Sequence, residues 1–125
     1  MALSVLVMGF GYAAKTFHVP FLQAMDAYSI AGVVSSDPAK VQGALPGVSV
    51  YNSFEQAIGD DNFDLVVITT PNHLHAEQAE AALRAGCHVL VEKPFTLSSE
   101  RAEQLVALAA QLNKQLCVFH NRRFD

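Results

Sequence analysis

Six apolar runs of strand length, at 3–8, 28–35, 48–51, 63–70, 88–92 and 115–120, alternate with stretches of helical character. That alternation constrains the fold more than any other feature. Strand, helix, strand in repeated order builds a parallel sheet through right-handed crossovers, with helices on both faces. The run at 63–70 is almost continuously apolar, the pattern of a strand buried on both sides. Local signals mark the helix ends. Asp37-Pro38 reads as an N-cap followed by proline in the first turn, and Ser53 with Gln56 as a capping box. Gly86 closes a helix that begins near His73, and Ser98 or Ser99 opens another that runs through Asn113. A helix from Ala13 is expected to kink or break near His18, because Pro20 removes a donor and clashes with the preceding turn. The fold class expected is α/β, a doubly wound parallel six-stranded sheet of Rossmann type, with residues 1–125 as one domain.

Composition bounds the function. Apolar residues make up 51% of the 125 and charged ones 16%, which argues for a packed core rather than disorder. A net charge of −4 and a pI of about 5.6 argue against broad binding to a nucleic-acid backbone. No apolar run reaches the roughly 20 residues of a membrane span, and no basic segment precedes an apolar one as in a signal peptide. Cys87 and Cys117 show no metal or redox spacing, and both sit among apolar residues. Two buried thiols in a reducing compartment, and so a cytoplasmic protein, are expected.

The first strand runs into Gly9-Phe10-Gly11-Tyr12-Ala13-Ala14. Two glycines supply positive φ and leave room where backbone must approach a ligand. The helix behind them offers unpaired N–H groups and the positive end of a dipole, which attract phosphate. The pattern G-x-G-x-x-A is a variant of the dinucleotide fingerprint, with Ala14 at the helix–strand packing position. Residues 9–16 also come within one residue of a P-loop. Against that template, Ala14 stands where the loop needs glycine. Asp64 lies at the start of its strand, not at the end where magnesium would be held. The remaining unusual residues gather at the C-terminal ends of the expected strands, where such sheets bind ligands: Ser35 and Ser36, 69–75, Glu92 to Pro94, and 120–123.

An NAD-binding domain usually carries an acidic residue at the end of its second strand, about 20 residues past the glycines, to hold the ribose 2′-OH. Here the strand ends in Ser35-Ser36-Asp37. Two hydroxyls can donate to a 2′-phosphate that a carboxylate would repel, and Lys40 adds charge. Asp37 reads as the cap of the next helix in preference to a ribose ligand. NADP is therefore expected over NAD.

With Val91-Glu92-Lys93-Pro94 in view, the chain resembles the glucose-fructose oxidoreductase, inositol dehydrogenase and rhizopine-catabolism (Gfo/Idh/MocA) family along its whole length. The turn Gly9-Phe10-Gly11, the strand exit Thr70-Pro71-Asn72-His73-Leu74-His75 and the segment Asn121-Arg122-Arg123-Phe124-Asp125 resemble the family's other signatures. Residues 12–18 with Ser35-Ser36 look most like the NADP-dependent scyllo-inositol dehydrogenase subgroup. The resemblance implies a dinucleotide-binding half of an oxidoreductase that moves hydride between nicotinamide and a hydroxyl-bearing carbon of a sugar or cyclitol. The family's second domain covers the nicotinamide, supplies an Asp and a His for proton transfer, and makes a subunit interface. That substrate domain is absent from these residues, so the 125-residue chain alone is expected to be inactive, and the full-length protein is expected to form a homo-oligomer.

The resemblance implies that Lys93 is the catalytic residue, touching the substrate hydroxyl. A lysine partly desolvated beside a cationic ring has a lowered pKa and can act near neutrality. Glu92 would orient the nicotinamide ribose or pair with Lys93. Gly9, Phe10, Gly11, Tyr12 and Ala13 would receive the pyrophosphate, and Ser35 and Ser36 the adenosine ribose. Thr69, Thr70, Pro71, Asn72 and His73 would line the cofactor, and Arg122 would meet its carboxamide or phosphate. The plainer readings stay open beside these: a surface lysine before a turn, histidines decorating a helix terminus, an arginine pair at a solvated end. His73 and His75 at i, i+2 point apart and have no evident third ligand, so no metal is expected. His18 and His88 read as structural. Two other functional classes compete. One is a dinucleotide sensor without turnover, for which Lys93 would be superfluous. The other is a methyltransferase, which usually wants a carboxylate where Ser35 stands.

Overall fold

The computed structural model describes residues 3–9, 28–60, 62–70, 75–92 and 99–119. Its elements are β1 (Leu3–Met8), β2 (Tyr28–Val34), α1 (Pro38–Ala44), β3 (Ser49–Tyr51), α2 (Phe54–Asp60), β4 (Leu65–Ile68), α3 (His75–Arg84), β5 (His88–Glu92), α4 (Ser99–Gln111) and β6 (Leu116–Phe119). The six strands form one sheet in the order β3-β2-β1-β4-β5-β6. Every pairing is parallel. The chain winds outward from β1 to β3, then crosses to β4 and winds the other way. That reversal between β1 and β4 is the topological switch point of a doubly wound sheet, where such folds bind ligands. The helix expected from Ala13, with its kink near Pro20, lies outside the described residues.

Alternation along the central strands divides the core in two. Leu6 and Met8 of β1 join Val66 and Ile68 of β4 and Val89 and Val91 of β5 on one face. There α2 contributes Phe54 and Ala57, α3 contributes Ala79, Ala82 and Leu83, and α4 contributes Leu105 and Ala109. Val5, Val7, Val33 and Val67 point the other way, against Val41 of α1 and Leu45. Each such side chain, taken fully out of water, contributes about 1.5–3 kcal/mol before the entropy of ordering is counted. Gly32 makes the first face close-packed. A Cβ there would lie 2.9 Å from the Tyr51 ring, 3.2 Å from Leu6 and 3.3 Å from Phe63. Without it, the Tyr51 and Phe63 rings meet edge to face, 6.4 Å apart.

The helix ends follow their local chemistry. Asp37 caps α1, its Oδ1 accepting from the Lys40 N–H at 3.1 Å. Ser53 Oγ accepts from the Gln56 N–H at 3.1 Å, while Gln56 Oε1 takes the Asn52 N–H at 2.7 Å, one residue earlier than a capping box requires. Gly86, at φ +90°, ends α3 in a Schellman turn, with Gly86 N–H on Leu83 O and Cys87 N–H on Ala82 O. Asn113 ends α4 in the same way at φ 58°.

Two expectations change and one is met. The regular ladder of β2 stops at Val34 and that of β4 spans Leu65–Ile68, so Ser35, Phe63, Thr69 and Thr70 flank strands and do not belong to them. Asp64 lies, as expected, at the start of its strand on the N-terminal edge of the sheet, where its carboxylate accepts from the Ser4 N–H at 2.8 Å, far from any phosphate site. Cys87 is buried, but Cys117 is exposed. It sits on the edge strand β6 beside Leu90, on the face opposite α3 and α4. Among the described residues no helix is long and apolar enough to cross a membrane.

Candidate functional site

At the C-terminal edge of the sheet, Gly9 follows β1 and stands between the ends of β2 and β4. Its N–H donates to Val34 O at 2.8 Å. Its φ is +91°, a left-handed backbone that favours glycine. A Cβ here would lie 3.0 Å from Thr69 Oγ1, 3.2 Å from Thr70 Cγ2 and 3.3 Å from Thr70 N. The β4 exit is therefore pressed against the first turn, and a side chain at position 9 would crowd both threonines. This tight turn lies at the switch point, where folds of this topology bind dinucleotides, and a glycine at positive φ there fits that use.

Thr69 is held tightly there. Both its N–H and its hydroxyl donate to Met8 O, each at 2.9 Å. Thr70 is fixed from two sides. Its hydroxyl donates to Gln78 Oε1, and its carbonyl lies 2.6 Å from Nε2 of His75. His75 is 1% exposed, the one buried polar side chain among the described residues.

Across from Thr70, Ser35 takes up the line of β2, its N–H donating to Tyr51 O at 3.0 Å. Its Oγ accepts from the Asp37 N–H at 3.1 Å, which leaves the hydroxyl proton free to donate outward. Ser36, Asp37 and Lys40 are exposed beside it. Gly9, Ser35, Ser36, Asp37, Lys40, Asn52 and Thr70 line a groove of about 500 Å³ over the end of Val34. Of the expected site residues, the structure thus brings Gly9, Ser35, Ser36 and Thr70 to one groove, with Thr69 buttressing its wall. Glu92 ends β5, paired with Phe119, on the same edge of the sheet. Its side chain, and Phe10, Gly11, Tyr12, Ala13, Pro71, Asn72, His73, Lys93 and Arg122, lie outside the described residues. Asn52 is a groove residue that the sequence reading passed over. Its only signal was its position just past a short strand. His88 plays a structural part, its Nδ1 accepting from the Gln115 N–H at 3.0 Å.

A parallel 3-2-1-4-5-6 sheet with a glycine turn at its switch point is the architecture of a dinucleotide-binding domain. The model of an oxidoreductase family with an NAD-binding Rossmann fold, Gfo/Idh/MocA, matches residues 3–120. The chain belongs to the Gfo/Idh/MocA oxidoreductase family. Its relatives include uncharacterized oxidoreductase YdgJ of Escherichia coli, 46% identical over 119 residues, which cover 95% of this chain and 34% of YdgJ. They also include the NADP(+) scyllo-inositol 2-dehydrogenase IolW of Bacillus subtilis, 36% identical over 98% of this chain and 34% of IolW. Among solved structures, a candidate oxidoreductase from Klebsiella pneumoniae superposes with a TM-score of 0.92 at 44% identity, over 99% of this chain and 36% of the other. GenD2 from gentamicin A biosynthesis, solved with NAD, superposes with a TM-score of 0.86 at 32% identity, over 94% of this chain and 34% of its own. The chain spans about a third of the length of these curated Gfo/Idh/MocA relatives. It corresponds to the NAD-binding Rossmann part of the family.

Proposed function

We propose that this domain binds NADP in preference to NAD and serves an oxidoreductase that acts on a hydroxyl-bearing carbon of a sugar or cyclitol. The observation that carries the cofactor reading is the state of Asp37. Its carboxylate is engaged by the N-terminus of α1 through the Lys40 N–H. The rim of the groove next to it holds the Ser35 hydroxyl, Ser36 and the Lys40 side chain. Hydroxyl donors and an ammonium favour a phosphate dianion, whereas a free carboxylate in the same place would favour a ribose diol. The naming of IolW for NADP(+) supports this reading, and the NAD in GenD2 marks the alternative within the same fold.

A bound nicotinamide dinucleotide supplies the hydride acceptor or donor. The chain's own residues do the rest. Gly9, with Phe10, Gly11, Tyr12 and Ala13, admits the pyrophosphate to the backbone. Thr70 stands on the β4 side of the groove, and Pro71, Asn72 and His73, next in sequence, are further cofactor contacts in this reading. Glu92 stands at the end of β5, and Lys93 follows it directly; in this reading its neutral amine takes the proton of the substrate hydroxyl as hydride leaves the carbon, and the ammonium so formed returns the proton in the reverse direction. Arg122 adds a cation beyond β6. In this reading residues 1–125 are the N-terminal domain of a two-domain, oligomeric cytoplasmic enzyme, and the substrate is selected by the second domain.

The test is titration of the purified protein with NADPH and NADH. Tighter NADPH binding is expected, and Ser35→Asp reverses it. A wild-type preference for NADH overturns the cofactor reading. In the full-length enzyme, unchanged turnover after Lys93→Ala overturns the catalytic one.

A further inference from the structure

Helix α3 holds the exit of β4 through His75 and Gln78, which stand at i and i+3 and share one face of the helix. His75 takes the Thr70 carbonyl, and Gln78 Oε1 accepts from the Thr70 hydroxyl. The helix that carries them is itself fixed. Ala79, Ala82 and Leu83 are buried in the core, and Glu80 is tied to Arg101 of α4. With carbonyl and hydroxyl both engaged toward α3, the N–H is the remaining polar group of Thr70, and no described residue accepts from it. That nitrogen lies 3.3 Å from the point where a Gly9 Cβ would stand, and Thr70 Cγ2 lies 3.2 Å from the same point.

We propose that Gln78 is a positioning residue for the dinucleotide site, acting through Thr70 and not by a contact of its own. The inference rests on the reading of the groove beside Gly9 as the seat of the cofactor. Threonine carries a hydroxyl, a methyl and a hydrogen on one Cβ, and its χ1 rests in one of a few staggered wells. Holding the hydroxyl toward α3 sends the methyl to Gly9, where it closes the wall with an apolar group. One step of χ1 would bring the hydroxyl or the hydrogen there instead. The hydroxyl would set a mobile donor beside the Thr70 N–H, and the hydrogen would leave a gap. His75 does not make this choice, because a bond to the carbonyl fixes the peptide and leaves χ1 free. A side chain that settles the rotamer before the ligand arrives removes an ordering cost from binding. Carried on a helix packed into the core, it does so from a rigid base.

The experiment is a double-mutant cycle on NADPH affinity, read by nicotinamide fluorescence, with the urea midpoint measured for each variant. Gln78→Met keeps the length of the side chain and removes the acceptor. Thr70→Val keeps the shape and removes the hydroxyl. Gln78→Met is expected to weaken NADPH binding about three- to tenfold, the size of one hydrogen bond. In the Thr70→Val background the same change is expected to alter affinity less than about twofold, because the bond is already gone. A structural part alone would move the unfolding midpoint and leave NADPH affinity in place, so unchanged affinity for Gln78→Met overturns the inference. So does the full loss recurring in the Thr70→Val background, which would give Gln78 an effect that does not pass through Thr70. Gln78→Ala, a good helix former, takes its place should Gln78→Met not fold. If the wild-type protein binds no nicotinamide dinucleotide at all, the reading of the groove falls and this inference falls with it.

Discussion

Nε2 of His75 lies 2.6 Å from the carbonyl oxygen of Thr70, in a position 1% exposed to solvent. A carbonyl only accepts, so this nitrogen carries a proton. The bond joins the first residue of α3 to the last described residue of the β4 exit, across the four intervening positions Pro71, Asn72, His73 and Leu74. His75→Ala leaves a partly buried carbonyl without this donor and a hole beside it. A loss of about 1–3 kcal/mol in urea unfolding is expected. Dinucleotide affinity should fall with it, because Thr70 is a wall of the groove. An unchanged unfolding midpoint would show that the bond contributes nothing.

Gly9→Ala tests the tight first turn. The new methyl would sit 3.0 Å from Thr69 Oγ1, whose hydroxyl is already committed to Met8 O. The positive φ adds about 1–2 kcal/mol of strain. Both effects fall at the switch point, so at least about a tenfold loss of NADPH affinity is expected for 1.4 kcal/mol transmitted to binding. Isothermal titration measures it.

The α3–α4 contact should be sensitive to acid and salt. Glu80 accepts from Arg101 of α4 and from Arg84 one turn along its own helix, at 2.9 Å in the latter case. The Arg101 hydrogen bond first, and the Arg84 bond second, hold its carboxyl below the ordinary value of 4.5. A depressed carboxylate pKa stabilises the fold above the unfolded-chain value, and that stabilisation is lost as pH falls through the folded one. Glu80→Gln is therefore expected to cost about 0.5 kcal/mol at pH 7, a small effect because the pair is partly exposed. The difference from wild type should close as pH drops below 4.5 and shrink in molar salt. Thermal melts across pH and salt check both trends.

The two thiols should react unequally. Burial first of all pushes the Cys87 thiol above its ordinary value, and its Sγ donates to Phe63 O at 3.3 Å. Cys117 is exposed. Alkylation of the folded protein at pH 8 followed by mass spectrometry should mark Cys117 first, with Cys87 protected until unfolding. Equal rates would contradict the placement of Cys87.

What could be read directly from the residues was what depends on near neighbours. The Asp37, Ser53 and Gly86 helix signals act over three or four residues, and all three appear where the sequence puts them. The parallel sheet was legible because strand and helix periods alternate. The closeness of Thr69 to Gly9 was not, since those residues are 60 positions apart and meet only when β4 docks on β1. The demand for glycine at position 32 likewise arises from Tyr51 and Phe63, which arrive from two other segments. Asn52 carries no motif and becomes a groove residue only through the order of the strands. Cys117 reads as buried from its apolar neighbours, but an edge strand exposes what a central strand would cover.

The pairing of β1 with β4 has a consequence for how the protein is made. β1 is synthesised first of the six strands yet lies between two neighbours, and Ser4 must wait for Asp64, 60 residues further along, before that flank is closed. Long closures of this kind slow folding, and an open strand edge invites pairing with another chain meanwhile. A central strand of the finished molecule is thus the one left half-paired longest on a growing chain. The cleft that needs the ends of both β1 and β4 cannot exist until that wait is over.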